Sequence, residues 1–229
     1  TSHMKKVLIP TDFSSCASNA AEFAIESAKE MPMEITLLHA FELKGSMYTD
    51  YMGVNKEFNQ LQLDDIRHRL HAMATEIEKD HGILVKTMVI TDTLDNTIRL
   101  VTSAEKFDFI MMGTVGAGES RNRFLSTKTG AEIGKTDTPI LVIPQEYKWC
   151  KPFTILFATN HFEEDAAILD AIFELATLFA ARVQVVIFTD EENDTPYTFL
   201  DHTLTLPRYD ETLKKKYPAN IISTEQLYG

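Results

Sequence analysis

The sequence predicts an α/β protein: a doubly wound, five-stranded parallel sheet followed by a partial second copy of the same unit. Three observations lead there. The chain starts twice, because Val7-Leu8-Ile9-Pro10-Thr11-Asp12-Phe13 returns 148 positions on as Ile155-Leu156-Phe157-Ala158-Thr159-Asn160-His161. The register then survives into the next strand, where Glu34-Ile35-Thr36-Leu37-Leu38-His39-Ala40 is matched by Arg182-Val183-Gln184-Val185-Val186-Ile187-Phe188. A chance match does not hold across two elements and the helix between them. Finally, short apolar runs alternate with longer amphipathic ones through the first unit, the pattern of parallel strands joined by helical crossovers.

Each element has its own reason. Lys6 to Pro10 is a buried-type strand, and Ser14 or Ser15 can cap a helix that carries Ala20, Phe23, Ala24 and Ala28 at helical spacing. Ile35 to Ala40 is a second strand. A polar, aromatic segment around Phe41 to Asn55 leads to a long helix, with Phe58, Leu61, Ile66, Leu70, Met73 and Ile77 expected to face inward and Gly82 as its stop. Leu84 to Ile90 is the third strand and Leu94 to Glu105 the next helix. Phe109 to Met112 forms the fourth strand, followed by a glycine loop, Gly113-Thr114-Val115-Gly116-Ala117-Gly118. A helix near Thr127 to Lys135 and a fifth strand, Pro139 to Pro144, close the unit.

Residues 4–146 are thus expected to form a complete domain, and 152–229 an incomplete repeat joined by the linker Gln145 to Lys151. The repeat supplies a strand at Phe153 to Ala158, a helix over Glu163 to Ala181, a strand at Val183 to Thr189, a helix of Tyr209 to Tyr217 and a third strand at Ala219 to Ser223. It lacks counterparts of the fourth strand, the glycine loop and the fifth strand. A cut is the expectation, a natural remnant the alternative, and an unpaired strand edge needs a partner or a cover.

Composition narrows the function classes. Hydrophobic residues make up 44% of the chain, enough for a buried core, and the net charge of −12 offers no broad basic face to a phosphate backbone, so nucleic acid is not an expected partner. Lys214-Lys215-Lys216 reads as a solvated helix face. Cys16 and Cys150 lie far apart without ligand spacing, which suggests neither zinc nor a disulfide framework and fits a reduced, cytoplasmic setting. No apolar stretch approaches the ~20 residues that span a bilayer. Thr1-Ser2-His3 ahead of Met4 resembles an expression scar and is left out of the reasoning.

In an open parallel sheet, ligands bind beyond the carboxyl ends of the strands, where the strand order reverses. For an order of 3-2-1-4-5 that point lies between strands one and four. Asp12 follows the first and the glycine loop the fourth, so both polar features converge on one crevice. The glycines permit close backbone approach, and successive N–H groups with a helix N-terminus can cradle an anion. Asp12 can accept a hydrogen bond from a ribose hydroxyl or an exocyclic amine, or can serve simply as a turn residue ahead of the helix.

The strand end Pro10-Thr11-Asp12-Phe13-Ser14, the strand end Leu37-Leu38-His39 and the turn Met112-Gly113-Thr114-Val115-Gly116 together resemble the universal stress protein family, and the repeat resembles its tandem type. The resemblance covers the first unit and about half of a second. It implies an adenine-nucleotide α-hydrolase-like sheet of order 3-2-1-4-5 and a stress-response regulatory role with ATP, ADP or AMP, and Mg²⁺, as ligands. Asp12 and the backbone at Ala40 would hold adenine and ribose. Gly113, Gly116, Ser126 and Thr127 would hold the phosphates, with Pro10, Thr11 and Met112 completing the set. ATP-binding members carry Gly-x-x-Gly, nine residues, then Gly-Ser or Gly-Thr; here the third glycine is replaced by Ser126. Its side chain crowds a phosphate that glycine admits, although its hydroxyl can also donate a hydrogen bond or cap a helix. The resemblance further implies a homodimer through the fifth strand.

The second unit reads as having lost the site, since Pro10 becomes Ala158 and Asp12 becomes Asn160. His39 reads as a packed core histidine; His68, His71 and His81 form no convincing metal site; Cys16 reads as a helix-capping bystander; the nine methionines read mostly as core. No nucleophile elbow, Walker lysine motif or HExxH is present, and no Ser-Gly-Gly phosphate loop follows the first strand. The expectation is therefore a nucleotide-binding regulator without a dedicated catalytic residue. A non-nucleotide interaction module with a vestigial site is the alternative, and slow ATP hydrolysis a third reading that lacks an evident general base.

Overall fold

A computed structural model describes residues 4–43, 54–114, 136–190 and 194–228. The polar segment at 44–53 and the stretch 115–135, which holds most of the glycine loop and the helix expected near Thr127 to Lys135, lie outside the described residues. The chain divides into two units, Thr1–Trp149 and Cys150–Gly229.

The first unit runs β1 (Lys5–Pro10), α1 (Ser15–Ser27), β2 (Met33–Ala40), α2 (Val54–His81), β3 (Leu84–Ile90), α3 (Leu94–Ala104), β4 (Phe109–Thr114) and β5 (Ile140–Pro144). Its five strands lie in the order β3-β2-β1-β4-β5, all parallel. Val7, Leu8 and Ile9 are wholly buried because β1 is central and covered on both faces. The two-residue alternation of a strand sorts them: Leu8 and Leu38 pack against Ile98 and Val101 of α3, while Val7 and Ile9 turn to the opposite face. Ser14 caps α1, its hydroxyl accepting from the Ala17 N–H at 3.3 Å. At the amino ends of the strands, Lys6 pairs with Glu105 at 2.6 Å and its own N–H donates to Asp108 at 2.8 Å, tying β1 to the approach of β4. The Lys6 ammonium beside Glu105 holds that carboxyl below its usual range, but the pair is solvated and contributes little to stability.

Two expectations for this unit need correction. The inward face assigned to the long helix is buried only from Ile66 onward, at Ile66, Leu70, Ala74 and Ile77, whereas Phe58 and Leu61 are 48% and 71% exposed. Length explains it. The 28 residues of α2 span about 42 Å and the 8 residues of β2 about 26 Å, so the first turns of the helix have no sheet beneath them. The fourth strand also runs two residues further than expected, taking Gly113 and Thr114 into the sheet opposite Ile143 and Pro144.

The second unit runs β6 (Thr154–Thr159), α4 (Ala166–Phe179), β7 (Arg182–Thr189), α5 (Pro196–Lys216) and β8 (Ile222–Tyr228), with a parallel sheet ordered β6-β7-β8. Thr154 lies opposite Arg182 as Lys6 lies opposite Glu34, so the pairing of the first two strands keeps one register in both units. Leu169, Ile172 and Phe173 of α4 and Tyr209 and Leu213 of α5 bury the same face of the sheet. Leu156, the counterpart of the fully buried Leu8, is 61% exposed.

The last helix begins at Pro196, thirteen residues before the expected Tyr209 start, and continues through Pro207. Thr195 caps it and Pro196 takes the first turn, where a missing N–H is harmless. Buried His202, Tyr209 and Leu213 hold it across the proline. The third strand accordingly starts later than expected, at Ile222.

Burial pushes the Tyr209 phenol up to about 12, with the Glu163 carboxylate adding to the effect. An unfolded tyrosine ionises near 10, so the stability carried by Tyr209 is complete below pH 10 and is lost as pH rises towards 12. The expected loss is on the order of 2 kcal/mol. Urea unfolding at pH 9 and pH 11.5 checks it, and Tyr209→Phe should reduce the difference without removing it, because burial and Asp170 raise the Tyr217 phenol as well.

Candidate functional site

Parallel pairing places the carboxyl ends of β2, β1 and β4 side by side, and the strand order reverses between β1 and β4. Pro10 is the last residue of β1, Ala40 the last of β2, and Met112 and Gly113 lie near the end of β4. Thr11, Asp12, Ala40 and Gly113 are therefore brought to one edge of the sheet. Gly116, Ser126 and Thr127 lie outside the described residues.

The turn after β1 is tightly determined. Thr11 is buried, its N–H donating to the Leu38 carbonyl at 2.8 Å and its hydroxyl accepting from the Phe13 N–H at 3.1 Å. Asp12 is exposed, and one carboxylate oxygen accepts from the Ser14 N–H at 3.1 Å. Asp12 is thus a turn residue, as the local reading allowed. Phe13 carries φ 62, in the left-handed region that an aromatic residue occupies only at a cost of about 1–2 kcal/mol. Its ring compensates. It stacks on His39 at 5.2 Å between centroids and 23° between planes, and the Arg69 guanidinium of α2 lies 4.0 Å from the ring centroid.

Gly113 has a packing reason of its own. A Cβ built there would collide with the backbone carbonyl of Cys16 in the first turn of α1, with the Cys16 Cα at 3.1 Å. Only glycine lets that helix end sit directly on β4. Gln145, just past β5, braces the same corner: its N–H donates to the Thr114 carbonyl at 2.8 Å and its side-chain amide to Ser15 at 3.2 Å. The first turn of α1 is therefore packed on the end of β4 at Gly113.

In the second unit Thr159 repeats the turn of Thr11, its hydroxyl accepting from the His161 N–H at 3.3 Å. Asn160 stands where Asp12 stands and is engaged by His161 at 3.0 Å. At the end of β7, Thr189 bonds buried His202 at 2.8 Å and Gln226 at 3.0 Å, so the helix α5 and the strand β8 occupy that strand end with their own side chains.

Phe13, His39 and Arg69 were not foreseen as a group. Phe13 had a local signal, a bulky residue inside a tight polar turn; Arg69 had none, because its contact spans 56 positions of chain. Among the described residues no cluster of three or more His, Cys, Asp and Glu could hold a metal ion.

Comparison with known proteins gives a consistent result. The family model described as the universal stress protein family matches residues 3–144. Universal stress protein MJ0577 of Methanocaldococcus jannaschii is 26% identical over 160 residues, covering 62% of this chain and 96% of that protein. Among solved structures, a universal stress protein from Archaeoglobus fulgidus is similar over 98% of this chain and 78% of its own, with a TM-score of 0.56 at 16% identity. The universal stress protein UspA from Lactobacillus plantarum covers 62% of this chain and 99% of its own, with a TM-score of 0.52 at 16% identity. At that identity the two structures speak for the fold alone.

Proposed function

Because the chain belongs to the universal stress protein family, we propose that it is a stress-response regulator that binds an adenine nucleotide, ATP, ADP or AMP, at the carboxyl ends of β1, β2 and β4. The observation that carries the reading is the convergence of Asp12, Ala40 and Gly113 at the point where strand order reverses. Asp12 would accept from the ribose or the exocyclic amine and the Ala40 backbone would meet the base. Buried Pro10, Thr11 and Met112 would serve as wall. The phosphates, with Mg²⁺ as their counterion, would fall to the Gly113 to Gly116 backbone and to the hydroxyls of Ser126 and Thr127, beside the positive end of α1. No residue here is assigned to bond cleavage; the protein would act through its bound state, in the cytoplasm, as a dimer paired along β5. Among the described residues no helix is long and apolar enough to cross a membrane.

A second reading keeps the same fold as an interaction module with a vestigial crevice. Two observations favour it: Ser126 stands in place of the family's third glycine, and Gly113 is accounted for by the packing of α1. Thermal unfolding followed by Trp149, which packs edge-on against Phe23 at 5.1 Å, separates the two. A nucleotide at a hundred times its Kd adds about 2.7 kcal/mol, a rise of about 5–10 °C in Tm. A Tm that no adenine nucleotide moves would favour the interaction module.

A further inference from the structure

We propose that the open edge of β6 is an interface through which two copies of this chain join their second units, β6 against β6 in an antiparallel register centred on Leu156. The first unit shows what this edge takes. There β1 is flanked by β2 on one side and by β4 on the other, with Val7 opposite Phe109 and Leu8 opposite Ile110. In the repeat β6 stands where β1 stands, and Leu156 follows Leu8 at the same 148-residue offset, yet among the described residues β6 pairs with β7 alone. The Arg182 N–H donates to the Phe153 carbonyl at 2.9 Å, and the alternation of a parallel ladder then turns the backbone N–H and C=O groups of Thr154, Leu156 and Ala158 away from β7. A row of such groups is a template for a further strand.

Nothing in the composition of β6 repels one. The edge strands β3 and β8 carry Lys86 and Glu225, charges of the kind that keep sheet edges apart, whereas Thr154–Thr159 holds neither a charge nor a proline. Self-pairing suits it. A two-fold axis at Leu156 sets that residue against its own copy on the open face of the sheet, and sets Ile155 against Phe157 on the face packed by the helices, where a β-branched residue beside an aromatic one is a favourable cross-strand pair. Charge agrees with the antiparallel sense. Exposed Lys151, ahead of β6, is carried towards exposed Glu164, which follows β6 in the other copy, while a parallel pairing would bring lysine to lysine and glutamate to glutamate. Leu156, 61% exposed where Leu8 is wholly buried, gains an apolar neighbour in exchange for water.

The test follows the full chain by sedimentation velocity between about 1 and about 200 µM, the range of moderate to weak association. The wild type should self-associate, and Leu156→Lys, which sets two ammonium groups face to face at the axis, should lower the average mass at each concentration, as for an association weakened about tenfold or more. Disulfide trapping locates the contact. In a chain carrying Cys16→Ala and Cys150→Ser, Leu156→Cys should be captured as a covalent homodimer under mild oxidation, because opposed residues of such a pair stand about 5.5 Å apart at Cα, within disulfide reach. Phe188→Cys, exposed on the neighbouring β7, should not be captured. Self-association that Leu156→Lys leaves unchanged would overturn the inference, since the copies would then meet elsewhere, as along β5. A chain that stays monomeric at the highest concentration would overturn it too, as would capture at Phe188→Cys as fast as at Leu156→Cys. Leu156 is exposed, so its variants are expected to keep the fold, and equal thermal transitions by circular dichroism check this.

Discussion

Gly113→Ala is expected to lower the stability of the first unit by about 3 kcal/mol, seen as a fall of about 6–12 °C in the Trp149 fluorescence transition. The change adds one methyl group, and elsewhere in a strand it would be mild. Here the new Cβ points into the Cys16 carbonyl, a backbone group held by the first turn of α1, so no flexible side chain can swing aside. Either α1 lifts off β4 or β4 bends away from it. Lifting α1 also moves Ser14 and Ser15 and with them the turn that holds Asp12, so nucleotide affinity should fall together with stability. A stable Gly113→Ala variant with unchanged melting would show that the helix end yields at little cost.

In the second unit the largest loss is expected at Phe173→Ala, about 3–5 kcal/mol. Phe173 is 2% exposed, lies in the core formed by α4, α5 and β7, and stacks on Tyr217 at 4.0 Å and 16°. Removing the ring leaves a cavity and strips Tyr217 of its partner. The face of the sheet that carries Leu156, Phe188 and Leu227 is exposed, so this core is the unit's main reserve of buried apolar surface. Urea unfolding followed by far-ultraviolet circular dichroism should show the loss directly, whereas Phe188→Ala on the exposed face should change stability by less than about 1 kcal/mol.

What could be read from the residues follows a physical division. Val7-Leu8-Ile9 announces a central strand because a strand covered on both faces must be apolar at every position. The order of the strands came with the resemblance, not from any local pattern, because pairing is a long-range property. Phe58 and Leu61 continue the helical period of Ile66 and Leu70, and a period says which way a side chain points but not where the sheet beneath it ends. Pro207 reads locally as a stop, yet His202 and Tyr209 on either side of it are buried, and packing overrides the local penalty. Asp12 is legible as a residue of the turn after β1. Gly113 looked like the first residue of a loop and is part of β4, and its need for glycine arises from Cys16, 97 positions earlier. Arg69 could not be found at all from sequence, since only the fold brings α2 onto the turn after β1.

Nucleotide binding at the ends of β1, β2 and β4 is tested most directly by a calorimetric titration of the chain with ATP and Mg²⁺, repeated with Asp12→Ala. One saturable site is expected in the wild type that Asp12→Ala abolishes, with both proteins folded. Silence from a folded wild type, or binding that survives the loss of the Asp12 carboxylate undiminished, would contradict it and leave the crevice without a nucleotide to hold.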